Sequence, residues 1–124
     1  MSVVTRAAFA FLFTTGCGPS HHDIDAIIER GQPLIQAIQA YERATGHPPD
    51  SLDELAPRYI KEVPTTGLES SPQFQYRARS KSPGDWRLNV KVENLGFRHM
   101  RFDPKRTYEM TVTPLRDGWV MIDP

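Results

Sequence analysis

Apolar residues in the first third of the chain recur at Ile24, Ile27, Ile28, Leu34, Ile35, Ile38 and Tyr41. Steps of three, four and seven place them on one face of a 3.6-residue helix. Gln32, Gln36, Gln39, Glu42 and Arg43 fill the other faces. Asp23 or Asp25 caps the start, where a carboxylate also meets the positive end of the helix dipole. Pro33 removes one hydrogen bond inside such a helix and crowds the preceding turn, and Gly31 just before it offers little resistance to bending. The pattern therefore predicts one helix kinked near Gly31–Pro33, or two pieces with Pro33 in the first turn of the second. The stripe keeps its phase across the break, which favours the kinked helix.

Gly46 is a C-terminal stop, followed by His47, Pro48 and Pro49. Asp50 or Ser51 then caps a short helix over residues 52–55, and Ser51 with Glu54 fits a capping box. Beyond it the period changes to two. Residues 73–79 set Phe74, Tyr76 and Ala78 against Gln75, Arg77 and Arg79. Residues 86–92 set Trp86, Leu88, Val90 and Val92 against Arg87, Asn89 and Lys91. With the turn around Ser82, Pro83 and Gly84 between them, the two runs predict a hairpin. After a turn at residues 94–96, a weaker strand covers 97–102, with Met100 and Phe102 inward. A further strand covers 107–113, alternating Tyr108, Met110 and Val112 with Glu109 and Thr111. Asp117-Gly118 turns the chain, and residues 119–122 close the sheet. Each strand has one apolar face that a helix must cover. The expected fold is α+β: a long N-terminal helix packed on an antiparallel sheet of about four to five strands.

The stretch 35–64 resembles the soluble part of type II secretion major pseudopilins and related type IV pilin-like proteins. The residues that carry the resemblance are Ala37, Ile38, Ala40, Tyr41, Gly46, Pro49, Ser51, Leu52, Glu54, Leu55, Pro57, Tyr59, Ile60, Val63 and Pro64. It is close over these residues and loose over the strand-rich remainder. It implies a pilin-like head, and assembly or scaffolding instead of catalysis.

The N-terminus changes that picture. Arg6, the apolar run 7–13 and the small residues Thr14, Thr15 and Gly16 have the order of an export signal. The run is far shorter than the roughly 20 apolar residues that span a bilayer. Cys17, the one cysteine of the chain, stands directly after Gly16, where a bacterial lipoprotein is cut and acylated. The segment resembles a lipobox, with Thr14 where leucine is usual. Acyl chains on Cys17 would bury enough methylenes for stable membrane attachment. In pseudopilins an apolar spanning segment with an early glutamate follows the processed glycine; here Gly18, Pro19, Ser20, His21, His22 and Asp23 follow. The chain looks like a pilin-type head whose membrane helix is exchanged for a lipid. By the same resemblance, Gly18 after the cysteine points to the outer membrane. The expected organisation is an export signal over 1–16, a lipidated tether over 17–22 and one domain over 23–124.

Composition sets further bounds. About 108 residues from Cys17 onward amount to one domain. With no second cysteine an internal disulfide is excluded. Residues 23–62 hold eight acids and four bases, and residues 63–124 hold seven acids and ten bases. The helical part is acidic and the sheet part basic, while the formal net charge of zero argues against a nucleic-acid partner.

Candidate chemistry is sparse. His21, His22, Asp23 and Asp25 have the residue types of a metal cluster but sit in the tether and first helical turn, without a scaffold to set ligand geometry. His47, Asp50, Asp53 and Glu54 fit turn and capping chemistry. No cofactor, metal or calcium site is expected, and no catalytic residue is assigned; an envelope hydrolase is the weakest of the alternatives. Arg77, Arg79, Arg87 and Lys91 share one solvent-directed face of the hairpin if it pairs as read, a surface suited to acidic lipids or an acidic partner. Charge reversal at Arg77 and Arg87 would test it. The expected role is a lipid-anchored, non-catalytic binding or scaffold module of the cell envelope. The alternative is an accessory component of a type II secretion or type IV pilus-like machine. The expected partners are the membrane, through the anchor, and an envelope or secretion-machine protein.

Overall fold

A computed structural model describes residues 21–92, 98–108 and 112–122. The export segment, Cys17, the turn at 94–96 and Met110 lie outside the described residues. Helix α1 spans His21–Thr45, so the last two residues assigned to the tether fall in its first turn. It runs without interruption through Pro33, and the two-piece arrangement is not adopted. The stripe seen in sequence is its buried face: Ile27, Ile28, Leu34, Ile35, Ala37 and Ile38 are all in the core. Gly31 belongs to that face, and its role is close approach. A Cβ there would lie 2.9 Å from Trp119 Cζ2 and 3.4 Å from Phe74 Cε1. The helix ends where Gly46, at φ 85°, donates its N–H to the Glu42 carbonyl.

The short helix forms at Leu52–Leu55 as a single 3-10 turn. Its capping differs from the expected box. The Ser51 side chain makes no capping bond; the Glu54 carboxylate instead accepts the Asp50 backbone N–H at 2.6 Å. The reach-back half of the box is thus kept, displaced by one residue. Leu55 anchors this turn in the core.

Five strands follow: β1 (Gln75–Ala78), β2 (Trp86–Lys91), β3 (His99–Phe102), β4 (Val112–Pro114) and β5 (Trp119–Ile122). All pairings are antiparallel, in the order β1-β2-β3-β5-β4. The fold is α+β, one helix over a five-stranded antiparallel sheet. Trp86, Leu88, Val90, Val92, Met100, Trp119 and Met121 project from the sheet into the same core as the α1 stripe. Burial of several such side chains, each worth about 1.5–3 kcal/mol, is the main force holding helix to sheet.

Two expectations about the last strands are corrected. Residues 107 and 108 are not strand, and β4 begins at Val112. Strand β5 does not close the sheet. It inserts between β3 and β4, and all four of its residues are buried. The short β4, ending in Pro114, forms the edge instead, where a missing N–H costs no ladder bond. Asp117 and Gly118, both at positive φ, make the tight turn that returns β4 to β5.

Polar clips fix helix and sheet in register. The Glu42 carboxylate accepts the Gly84 N–H and the Trp86 indole N–H, the latter at 3.1 Å, tying the end of α1 to the β1–β2 turn. Near its start, Asp25 and Glu29 lie 3.5 and 3.7 Å from the Arg116 guanidinium, beside the β4–β5 turn.

Candidate functional site: the outer face of the β1–β2 hairpin

The register sets the site. Gln75 pairs with Asn89, Tyr76 with Leu88, Arg77 with Arg87 and Ala78 with Trp86. Since side chains alternate along each strand, Arg77, Arg79, Arg87 and Lys91 all fall on the face away from α1. The structure thus brings together the four residues named from sequence. It adds Arg101 and His99, which pair with Asn89 and Lys91 from β3. These two were legible only in part, because strand periodicity around residue 99 is weak and the β2–β3 register cannot be read from composition.

Within this face the arginines differ. Arg87 is held: its Nε lies 3.2 Å from the Asp103 carboxylate, which is 3% exposed, and a terminal nitrogen reaches the Thr107 carbonyl at 3.3 Å. Asp103 also accepts the Thr107 hydroxyl and the Lys105 N–H. It is the hub that folds the segment after β3 back over the sheet. Arg101 donates to the Asn89 side chain at 2.7 Å. Burial, and then the neighbouring charge of Arg87, lower the Arg101 pKa. Burial and the Asp103 carboxylate raise that of Tyr108 beside it.

Arg77 and Arg79 are the available cations. Both are exposed, and Arg77 forms no ion pair among the described residues. Arg79 reaches Asp85 only at 4.0 Å and the Thr107 hydroxyl at 3.4 Å. Asp85 titrates below the ordinary carboxylate range, chiefly through the Ser80 hydroxyl it accepts, with Lys105, Arg79 and Arg87 adding to the effect. Arg77 and Arg87 stand directly opposite each other, an arrangement of like charges that destabilises a sheet. One buried carboxylate offsets part of this. A recess of about 310 Å³ opens between Arg77, Ala78, Arg79 and Arg87. A second, of about 560 Å³, lies toward the other end of β1, lined by residues 70–76 and Lys91. The chemistry on offer is fixed positive charge with planar donors, suited to carboxylates or phosphates.

The pairing also revises the sequence-level test. A glutamate at position 87 would face the buried Asp103 carboxylate, so loss of binding could not be separated from loss of fold. Arg77 and Arg79, both exposed and neither facing a buried carboxylate, are the positions better suited to reversal.

The other candidates are placed apart and have structural roles. The His47 ring nitrogen Nδ1 lies 2.9 Å from the Pro48 carbonyl, and its ring meets Tyr41 edge-on. Asp50 pairs with Lys81 at 2.7 Å, joining the interhelix turn to the β1–β2 turn. Tyr76 donates its hydroxyl to the Pro49 carbonyl at 2.6 Å; burial and then Glu42 push its pKa far up. Asp53 is exposed on the 3-10 turn, and Asp25 belongs to the Arg116 clip. Among the described residues no group of three or more His, Cys, Asp or Glu is placed to hold a metal ion. No helix among them is long and apolar enough to cross a membrane. Comparison of the chain with models of known protein families, with curated proteins and with solved structures finds no match.

Proposed function

We propose that this protein is a lipid-anchored component of the bacterial cell envelope, attached through acylated Cys17. Its pilin-like head is a non-catalytic binding or scaffold module. The observation that carries the binding role is the outer hairpin face. Two exposed guanidiniums, Arg77 and Arg79, border a recess beside Arg87; Arg77 has no ion pair among the described residues, and Arg79 has only the 4.0 Å approach to Asp85. A sheet that needed only solubility would disperse that charge, since like charges opposed across strands cost stability. The anchor rests on the order of Arg6, the apolar run and Cys17 in the sequence. Gly18 after the cysteine supports the periplasmic face of the outer membrane, with the membrane as one partner and an envelope protein as the other.

A second reading, an accessory part of a type II secretion or type IV pilus-like machine, is supported by the stretch 35–64. There the helix ends at Thr45, Gly46 stops it, and the Leu52–Leu55 turn follows. Intact mass of the membrane-extracted protein tests the anchor. The expected mass is that of a chain beginning at Cys17 with three acyl chains, absent in Cys17→Ala. An unmodified Cys17 would refute it. Co-purification with pseudopilins would move the assignment to the second reading.

A further inference from the structure

The backbone of β1 extends what its side chains suggest. Arg79 donates its N–H to the Asp85 carbonyl at 2.8 Å, which makes residues 79 and 85 a hydrogen-bonded pair of the antiparallel ladder. Such pairs alternate with non-bonded ones. Hence Arg77↔Arg87 and Gln75↔Asn89 carry the ladder bonds to β2, and the peptide groups of Tyr76 and Ala78 point away from it. Strand β1 is an edge of the sheet. Among the described residues the chain covers the start of that edge, through the bridge between Thr65 and Gln73. No backbone hydrogen bond among the described residues reaches the outward peptide groups of Tyr76 or Ala78.

Charge and shape follow the same line. The two recesses lie toward the two ends of β1 and together follow residues 70–79. The part from 73 to 79 measures about 20 Å at roughly 3.3 Å per residue. Arg77 and Arg79, two residues apart, stand about 6–7 Å from each other on one face. A single phosphate would draw its cations to one point, whereas these are strung along a strand. An extended chain with an acid at every second position has its carboxylates at the same 6–7 Å spacing on one face.

We propose that the edge of β1 takes up an extended acidic segment of a partner protein as an added strand. The Tyr76 and Ala78 peptide groups would supply the backbone pairing, and Arg77 and Arg79 the selection of alternating carboxylates. This rests on the hairpin face being the contact surface and names the kind of partner it fits.

The test uses the full-length protein in detergent micelles. The probe is a fluorescent ten-residue peptide alternating glutamate and valine, with an isomer carrying its glutamates in one block. The alternating peptide binds at least about tenfold more tightly, and amide exchange slows at Tyr76 and Ala78. Ala78→Pro removes one outward N–H while leaving the ladder to β2 intact. It weakens binding about tenfold with an unchanged near-ultraviolet circular dichroism spectrum. Arg77→Glu with Arg79→Glu abolishes binding of the acidic peptide. Equal affinity for both isomers, or full binding by a folded Ala78→Pro variant, overturns strand addition while leaving the basic contact face standing. Unchanged binding by the folded double arginine variant sinks that face as well. Binding of phosphatidylglycerol vesicles or inorganic phosphate that the alternating peptide does not displace also overturns the proposal.

Discussion

Strands β2 and β5 both carry a tryptophan at their first position and bury it completely, yet their outer faces differ. In β2 every second residue is at least partly open: Arg87, Asn89 and Lys91 alternate with Trp86, Leu88 and Val90. In β5 Val120 and Ile122, which point away from α1, are 7% and 5% exposed. The sheet is therefore closed on both sides at β5 and on one side at β2. Strand β4 lies beyond β5 in the sheet, so β3 and β4 are consecutive in sequence but not neighbours. After β3, Asp103 gathers Arg87, Thr107 and the Lys105 N–H, and so ties residues 103–107 to the outer face of β2. The hairpin's outer face keeps its charge, part of it held by Asp103 and part of it, at Arg77, exposed.

The sharpest way to break this comparison is to place a charge on each outer face. Val120→Lys should cost about 3 kcal/mol, as an unpaired charge brought into a closed layer opposite Arg101. Arg77→Glu should stay within about 0.5 kcal/mol of the parent. Urea denaturation of both variants decides it, and equal losses would mean that the two faces are alike.

Removing the hub comes next. Asp103→Ala leaves Arg87 without its carboxylate and frees the Thr107 and Lys105 bonds, a loss of about 3 kcal/mol. Amide exchange should then quicken in residues 103–108 and remain slow in β2. Exchange that rises uniformly would contradict a local latch.

Gly31→Ala has a smaller effect with opposing parts. Alanine gains about 1 kcal/mol of helix propensity, but its Cβ would meet the fully buried Trp119 ring at 2.9 Å. Overpacking of about 1–3 kcal/mol outweighs the gain and lowers the melting temperature. A higher melting temperature would show that the helix is free to move off the sheet.

The Asp50–Lys81 pair at the exposed end should contribute least. Its hydrogen bond and charge lower the Asp50 pKa and raise that of Lys81. Any stability it adds is present above the unfolded carboxylate value and lost as pH falls below about 4. On the alkaline side it is present below the unfolded lysine value and lost above about 10.4. At the surface such pairs are screened. Lys81→Ala should leave the melting temperature at neutral pH unchanged within error, and a clear drop would assign this turn a larger part in the fold.

The same contrast explains what the sequence made legible. Strand β2 repeats with period two and is bounded by turn residues, so its span, its inward set and its partner followed from the pattern. The stripe of α1 survived Pro33 because the tertiary contacts of Ile27, Ile28, Leu34 and Ile38 outweigh one missing hydrogen bond. Trp119-Val120-Met121-Ile122 is apolar without alternation, a pattern that fits a strand covered on both faces. Its place inside the sheet depends on a crossover that no local signal encodes. Gly31 illustrates the same limit. Flexibility beside a proline was the local reading, and the ring of Trp119, 88 residues later, is what requires the missing side chain. The basic face was visible as charges of one parity on two adjacent strands. The division between held and available arginines was not, since it depends on Asp103 arriving from a third strand's end.

The account stands on the outer hairpin face being an available binding surface separable from the fold. The most direct measurement compares the parent with Arg77→Glu/Arg79→Glu for binding of an acidic peptide. Near-ultraviolet circular dichroism of the buried Trp86 and Trp119 monitors the packing. The account predicts that binding is lost while the spectrum and the urea midpoint stay as they were. Undiminished binding by the folded variant, or a variant that unfolds, would contradict it.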